Sequence, residues 1–400
     1  MGMFDCCLGT SATAPASSGA AAAAASSAMP AGVALPGCEL LRLLGEGSFG
    51  TVILVRERQT GNLYAVKIMS KAQLASEDQL ANIALERQVL REAGPHPFIV
   101  ECAAGFQTEN AVVLVLEYLP GGDFYDLLRS KGLLSEEQAQ FYLAEVVVGI
   151  GELHAHKFVL RDLKLENILL DADGHVRLTD FGLAGKVNTV GDTSITDLSG
   201  TAIYQAPEIL SGKGHGTPVD WWALGILAFI MMTGKPPFGG SDRAELYAAI
   251  EKAEIDLESN PKAQGWDPIT KDFIQGLLTK NPAKRLGSGG VQDVISHPFF
   301  RGIDWEALLR MELEPPIKLG IEKAGLGEKD AMAAQQAKEQ LRKKLDQAAK
   351  DRKGVYGVLA EFQEIRAGGR ASIGLDFDNK RSDQDDGAAL KKAGFSLLKK

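Results

Sequence analysis

Six short segments carry side chains whose types and order suit moving a phosphoryl group from a nucleotide to a hydroxyl. In chain order they are GEGSFG at 45–50, Lys67 in YAVK, Glu86, RDLKLEN at 161–167, DFG at 180–182 and APE at 206–208. Such transfer asks little covalent work of a protein; it rests on positioning a charged nucleotide and neutralising charge near its terminal phosphate. Gly45, Gly47 and Gly50 let backbone amides approach phosphate oxygens with no Cβ in the way, Ser48 and Phe49 complete the loop, and Val52 returns along a strand to cover the base. Lys67 has a helical Glu86 downstream to pair with, which would hold phosphate oxygens at a fixed point. Asp162 is placed to accept the hydroxyl proton, and Lys164 to steady the transferring phosphate. Asn167 and Asp180 offer hard oxygens suited to Mg2+. Each piece alone has a plainer reading: a hairpin turn for the glycines, a surface lysine, a capping aspartate. A lone GxGxxG also occurs in dinucleotide folds. Their succession in one chain carries the information.

The intervening residues supply elements to hold these groups. LLRLLGEGSFG, TVILVRERQ and LYAVKIM read as strands, with a turn at 60–62 and the glycines at the first bend. Helical spacing over 76–93 sets Glu86 among Ile83, Val89 and Leu90 before Gly94 and Pro95 stop it, and 111–117 returns to an apolar strand. From 124 the chain turns helical: 124–128, then 135–154 opened by Ser135 with Gln138 at the capping-box position, and later 219–233, 243–253 and 271–278. Short strands at 168–170 and 176–178 flank a turn at 172–174. The expected fold is α+β and bilobal: a small antiparallel-sheet lobe with one key helix over 36–119, and a larger, mainly helical lobe over 120–300. Residues 301–400 form a tail with a charged helical insertion at 329–353.

The 400 residues carry a net charge of −9, which argues against nucleic-acid partners and suits basic substrates. Cys6, Cys7, Cys38 and Cys102 form neither a zinc pattern nor a disulfide framework, as expected of a reducing, cytoplasmic compartment. The apolar run at 223–232 is far shorter than a membrane span and reads as a buried helix. Residues 1–35, rich in Ala, Ser, Gly and Pro, read as a disordered leader. Its start, MGMFDCCLGT, is compatible with acylation at Gly2 and at Cys6 or Cys7 and so with membrane association, although Cys stands where the motif wants Ser or Thr; an unmodified tail is the alternative.

Residues 40–300 resemble a eukaryotic protein kinase. DLKLEN is similar to the serine/threonine class, and EYLPGGD, RDLKLEN, GTAIYQAPEIL, DWWALGIL and HPFFRGIDWEALLR resemble the AGC group, which includes cyclic-nucleotide-dependent kinases. The resemblance implies ATP and Mg2+ as cofactors. It implies a nucleotide site that includes Ala65 and Glu166, with adenine meeting the backbone at Glu117 and Leu119 behind Leu116. It further implies Thr201 bonded to Asp162 and Lys164, Arg285 paired with Glu208, and Asp220 anchoring the catalytic loop. Protein substrates with basic flanking residues follow, Asp123 and Glu166 holding an upstream arginine while Ile230 replaces a glutamate that would hold a second. A regulatory subunit stays open as a partner.

Three departures from the family pattern carry expectations of their own. Leu160 stands where Tyr or His is usual and is expected to stack with Phe181 and Leu90. Asp197 stands where the group carries a phosphorylated threonine. A carboxylate there is expected to grip Arg161 in bidentate fashion, ordering the activation loop without a second kinase; the alternative is a solvated Asp197 with Thr196 or Ser199 as the switch. The tail lacks a closing FxxF, ending with Phe395 alone, and Phe377 resembles an aromatic that lies near adenine. A pseudokinase scaffold is the other class of reading, weakened by retention of Lys67, Asp162 and Asp180.

Overall fold

A computed structural model describes residues 35, 37–47, 50–71, 77–108, 111–189 and 191–319. The leader with Gly2, Cys6 and Cys7, the loop tip Ser48 and Phe49, and the tail with its charged run, Phe377 and Phe395 lie outside these residues. Among the described residues no helix is long and apolar enough to cross a membrane.

The small lobe is a sheet of β1 (Cys38–Gly47), β2 (Gly50–Glu57), β3 (Leu63–Ser70), β4 (Cys102–Gln107) and β5 (Ala111–Glu117), with α1 (Glu77–Glu92) between β3 and β4. The strand order is β1-β2-β3-β5-β4, all neighbours antiparallel. Alternation sorts the β-branched and apolar residues onto two faces. Ile53, Val55, Val66, Ile68 and Val113 form one cluster, while Met69, Leu114 and Leu116 join Val89 and Leu90 of α1 in the main core. Lys67 therefore sits mid-sheet, opposite Val52 on one side and Leu114 on the other. Sequence reasoning did not resolve β4: CAAGFQ is rich in small residues and none of the six is buried, so no inward pattern announces the strand.

The larger lobe follows as α2 (Phe124–Lys131), α3 (Glu136–Ala155), β6 (Phe158–Val159), β7 (Ile168–Leu170), β8 (Val176–Leu178), β9 (Gly185–Lys186), α4 (Pro207–Leu210), α5 (Pro218–Thr233), α6 (Arg243–Lys252), α7 (Pro268–Leu277), α8 (Val291–Ile295) and α9 (Trp305–Leu309). Helix α3 opens on a reciprocal capping box, Ser135 accepting the Gln138 N–H while the Gln138 side chain accepts the Ser135 N–H. Helix α7 begins three residues before the expected 271, because Asp267 caps it and Pro268 occupies its first turn. All residues of α5 from Val219 to Thr233 are buried, the apolar run 223–232 facing core all round and the polar Asp220 and Thr233 hydrogen-bonded. Gly225 permits that burial: a Cβ there would stand 2.8 Å from Leu278 Cδ2 and 2.9 Å from Leu277 Cβ. Leu160, Phe181 and Leu90 share this core.

The APE segment is bolted to the helices beyond it. Arg285, its side chain fully buried, gives Nη1 to Glu208 Oε1 at 2.6 Å and Nη2 to Oε2 at 2.8 Å, and donates to the carbonyls of Thr279 and Pro218. Its guanidinium carbon lies 5.2 Å above the Trp222 ring. Removing one partner would strand a charge in the interior, so Glu208→Ala is expected to cost about 3–5 kcal/mol in urea unfolding, and Glu208→Gln less.

Candidate active site

Three elements far apart in sequence meet at one ammonium. Strand β3 delivers Lys67, α1 delivers Glu86, and the residues after β8 deliver Asp180. Lys67 Nζ lies 2.7 Å from Glu86 Oε1 and 3.0 Å from Asp180 Oδ1. Lys67 and Glu86 are 14 % and 3 % exposed, whereas the Asp180 carboxylate, at 43 %, faces the opening. Burial alone would lower the Lys67 pKa, but the carboxylates of Glu86 and Asp180 outweigh it and raise the value, so the ammonium is fixed. Burial pushes Glu86 up and the Lys67 charge opposes it. Asp180 takes a positive φ of 60°, which turns its side chain back toward Lys67.

The loop between β6 and β7 is gathered around Asp162, itself buried. Its Oδ1 accepts the Thr201 hydroxyl at 2.8 Å and the Thr201 N–H at 3.0 Å; its Oδ2 accepts Lys164 Nζ at 2.6 Å and Asn167 Nδ2 at 3.1 Å. Lys164 also reaches the Thr201 hydroxyl at 3.3 Å, and Asn167 donates to the Asp162 carbonyl at 2.9 Å. With its nitrogen so engaged, the Asn167 amide turns its oxygen away from Asp162. The loop has almost no ladder of its own, so its backbone needs other acceptors. Asp220 of α5, fully buried, accepts the N–H of Leu160 and of Arg161, each at 2.8 Å, and shares a 2.8 Å hydrogen bond with His154 of α3.

Arg161 ties this loop to the activation segment. Nη1 meets Asp197 Oδ1 at 2.5 Å, Nε donates to Leu183 O at 2.7 Å and Nη2 to Ala184 O at 3.1 Å. The expected bidentate grip on Asp197 is thus a single contact, because the other two donors are spent on carbonyls just past Phe181. Gly185 makes room for that guanidinium: a Cβ there would lie 3.2 Å from Arg161 Nε and 2.5 Å from Ile195 Cδ1. Asp197 is exposed, and although partial desolvation would raise its pKa, the Arg161 charge and hydrogen bond hold it below the usual carboxylate range. Thr196 is exposed and Ser199 half-buried.

At the junction of the lobes Leu116 and Leu119 are buried, and Leu116 pairs across the sheet with Ala65. The Glu117 N–H is taken by Glu101 O at 2.9 Å, so any backbone contact to a ligand at Glu117 falls to its carbonyl. Gly45, Gly47, Gly50 and Val52 lie where β1 turns into β2, opposite β3. Asp123 is half-buried and caps α2, its Oδ1 accepting the Asp126 N–H at 2.7 Å, while Glu166 is exposed within the loop 161–167. Ile230 is buried in α5. Sequence reasoning missed His154 behind Asp220 and the carbonyl partners of Arg161; both depend on tertiary approach and leave no local pattern.

The donor chemistry of Asn167 and Asp180 fits magnesium, which takes oxygen ligands, uses one or two carboxylates and shares the rest with phosphates and waters. One Asp180 oxygen is engaged by Lys67, and the carboxylate is open to the cleft.

Comparison with known proteins agrees with this geometry. The family described as Protein kinase domain matches residues 38–300. Ribosomal protein S6 kinase alpha-2 of Mus musculus is 42% identical over 285 residues, covering 70% of this chain and 38% of that protein. Serine/threonine-protein kinase gad8 of Schizosaccharomyces pombe is 42% identical over 286 residues, 72% of this chain and 49% of its own length. Protein kinase 3 of Dictyostelium discoideum is 40% identical over 297 residues, 72% of this chain and 32% of its own. The chain thus spans less than half the length of these relatives. It belongs to the protein kinase domain family, and within it to the AGC group.

Proposed function

We propose that this chain transfers the γ-phosphoryl group of Mg-ATP to serine or threonine hydroxyls of proteins. The observation that carries the reading is Lys67 held by Glu86 and Asp180 at once, joining residues 19 and 113 positions apart. A phosphate arriving at that point meets an ammonium already oriented, and the cost of positioning is met by the fold. Asn167 and Asp180 would hold Mg2+, whose role is to neutralise charge on the terminal phosphates. The glycines 45, 47 and 50, with Ser48, Phe49 and Val52, would cover the nucleotide, and Ala65, Leu116, Glu117, Leu119 and Glu166 would line its base and ribose. Asp162 would accept the proton of the attacking hydroxyl. Thr201 and Lys164 support this role by fixing the direction of its carboxylate, and Lys164 is near enough to steady the transferring group.

The substrate is read as a basic segment. Asp123 is half-buried and Glu166 exposed, and the two carboxylates would receive one arginine upstream of the target. Ile230, apolar and buried, offers nothing to a second. A narrower kinship with cyclic-nucleotide-dependent kinases rests on the sequence phrases alone, since the relatives reported above bear other names.

Asp197 lets the activation segment close without added phosphate. Because its pKa is depressed, the pairing contributes fully above the ordinary carboxylate value of about 4 and is lost as pH falls through the folded value. It is intact at neutral pH. Phosphatase-treated protein is therefore expected to keep its activity, while Asp197→Asn loses several-fold in kcat and is cleaved faster by protease within 191–199. A loss of activity on dephosphorylation with Asp197→Asn unaffected would assign the switch to Thr196 or Ser199 instead.

The decisive measurement is radiolabelled phosphate transfer from Mg-ATP to an arginine-containing peptide library. Transfer is expected to favour one upstream arginine with little gain from two, and Asp180→Ala is expected to lose at least about a thousandfold in kcat. Absence of transfer and of Mg-ATP binding by calorimetry would end the proposal.

A further inference from the structure

Arg177 stands in the middle of β8, three residues before Asp180, and its side chain is 2 % exposed. A guanidinium at that depth must find partners on all sides, since an isolated buried cation is costly. It meets three other segments and the backbone of its own strand. Nε makes no hydrogen bond but lies 3.4 Å from Oε1 of Glu117, the last residue of β5, as an ion pair. Nη2 lies 3.4 Å from Oδ2 of Asp171, in the turn between β7 and β8, and 3.8 Å from the sulfur of Met311, beyond α9. Nη1 donates to the Val176 carbonyl at 3.1 Å.

Both carboxylates are themselves fixed. Glu117 Oε1 accepts the Glu101 N–H at 2.8 Å, and Asp171 Oδ1 accepts the N–H groups of Asp173 and Gly174 at 3.0 Å and of His175 at 2.9 Å. The next residue of the strand is also bound to the small-lobe segment between α1 and β4: Leu178 N–H donates to Phe98 O, and Val100 N–H to Leu178 O, each at 2.9 Å. A continuous chain of contacts therefore runs from the carboxylate of Glu117, through Arg177, along β8 to Asp180.

We propose that Arg177 is a positioning residue for the nucleotide: it holds the Glu117 end and the Asp180 end of the cleft at one separation by gripping Glu117 and Asp171 from the strand that delivers Asp180. The inference rests on the reading above, that adenine meets the backbone at Glu117 while Asp180 serves the phosphates. A ligand that spans both ends is sensitive to their spacing; a peptide bound at the outer face of the catalytic loop is not. Loss of the link leaves each half of the cleft folded but poorly set against the other, and errors of about 1 Å in such settings cost up to about a hundredfold. Lysine does not replace the residue, because a single ammonium on a flexible stem lacks the fork that meets two carboxylates at once.

The test uses the full chain. Mg-ATP affinity is measured by calorimetry, and the KM values for ATP and for an arginine-containing peptide are measured separately, for wild type, Arg177→Lys and Arg177→Met. Arg177→Lys is expected to weaken ATP binding and raise its KM by about tenfold, with the peptide KM within about twofold of wild type, and Arg177→Met to show the same split more strongly. If Arg177→Met fails to fold, Arg177→Lys, which keeps the buried charge, decides. Lysine and wild-type proteins with equal ATP affinity, or a parallel rise of both KM values, would overturn the inference and leave Arg177 a structural ion pair. A wild type that does not bind Mg-ATP would instead overturn the kinase reading.

Discussion

The Lys67 ammonium, shut between Glu86 and Asp180, sets the terms for the rest of the molecule. A buried cation and carboxylate, joined by a second carboxylate at the cleft opening, form an arrangement that is worth its desolvation only when geometry is tight. Glu86 can be in place only if α1 packs on the sheet through Val89 and Leu90, and Asp180 only if the residues after β8 turn back with a positive φ. The cluster is thus a local statement about the relation of two lobes. It also carries one negative charge more than positive, a bias that favours a divalent cation beside the exposed Asp180 carboxylate.

A second habit of the fold is to stiffen irregular backbone with buried carboxylates. Asp220 serves the amides of Leu160 and Arg161, Asp171 serves three successive amides of its turn, and Asp162 accepts both the hydroxyl and the N–H of Thr201. Loops that carry chemistry cannot use a sheet ladder without losing their shape, and an acidic side chain donated from a helix or a neighbouring turn supplies acceptors in its place. Arg161 applies the same logic with the signs reversed, giving its donors to two carbonyls and one carboxylate.

Much of this was legible in the residues. The order of Lys67, Glu86, Asp162, Asn167 and Asp180, the capping box at Ser135 and the apolar run of α5 are local signals whose physics does not wait for tertiary structure. The two-lobed α+β architecture followed from strands preceding helices. What escaped was set by approach in space. Strand β4 has neither branched residues nor alternation to announce it; β6 and β9 are two residues long; and the partners of Arg161 and Asp220 are carbonyls, amides and a histidine whose nearness depends on how helices cross. The single rather than double contact to Asp197 belongs here too, since a sequence does not reveal which donors a backbone has already claimed.

The anchoring of residues 160 and 161 has one more effect. Two consecutive peptide protons in a stretch without helix or sheet point into the protein, onto a carboxylate that water does not reach. Their exchange with solvent deuterium would then be governed by large-scale opening rather than by local fluctuation, and a stretch that looks like loose coil would keep time with the central helix beneath it.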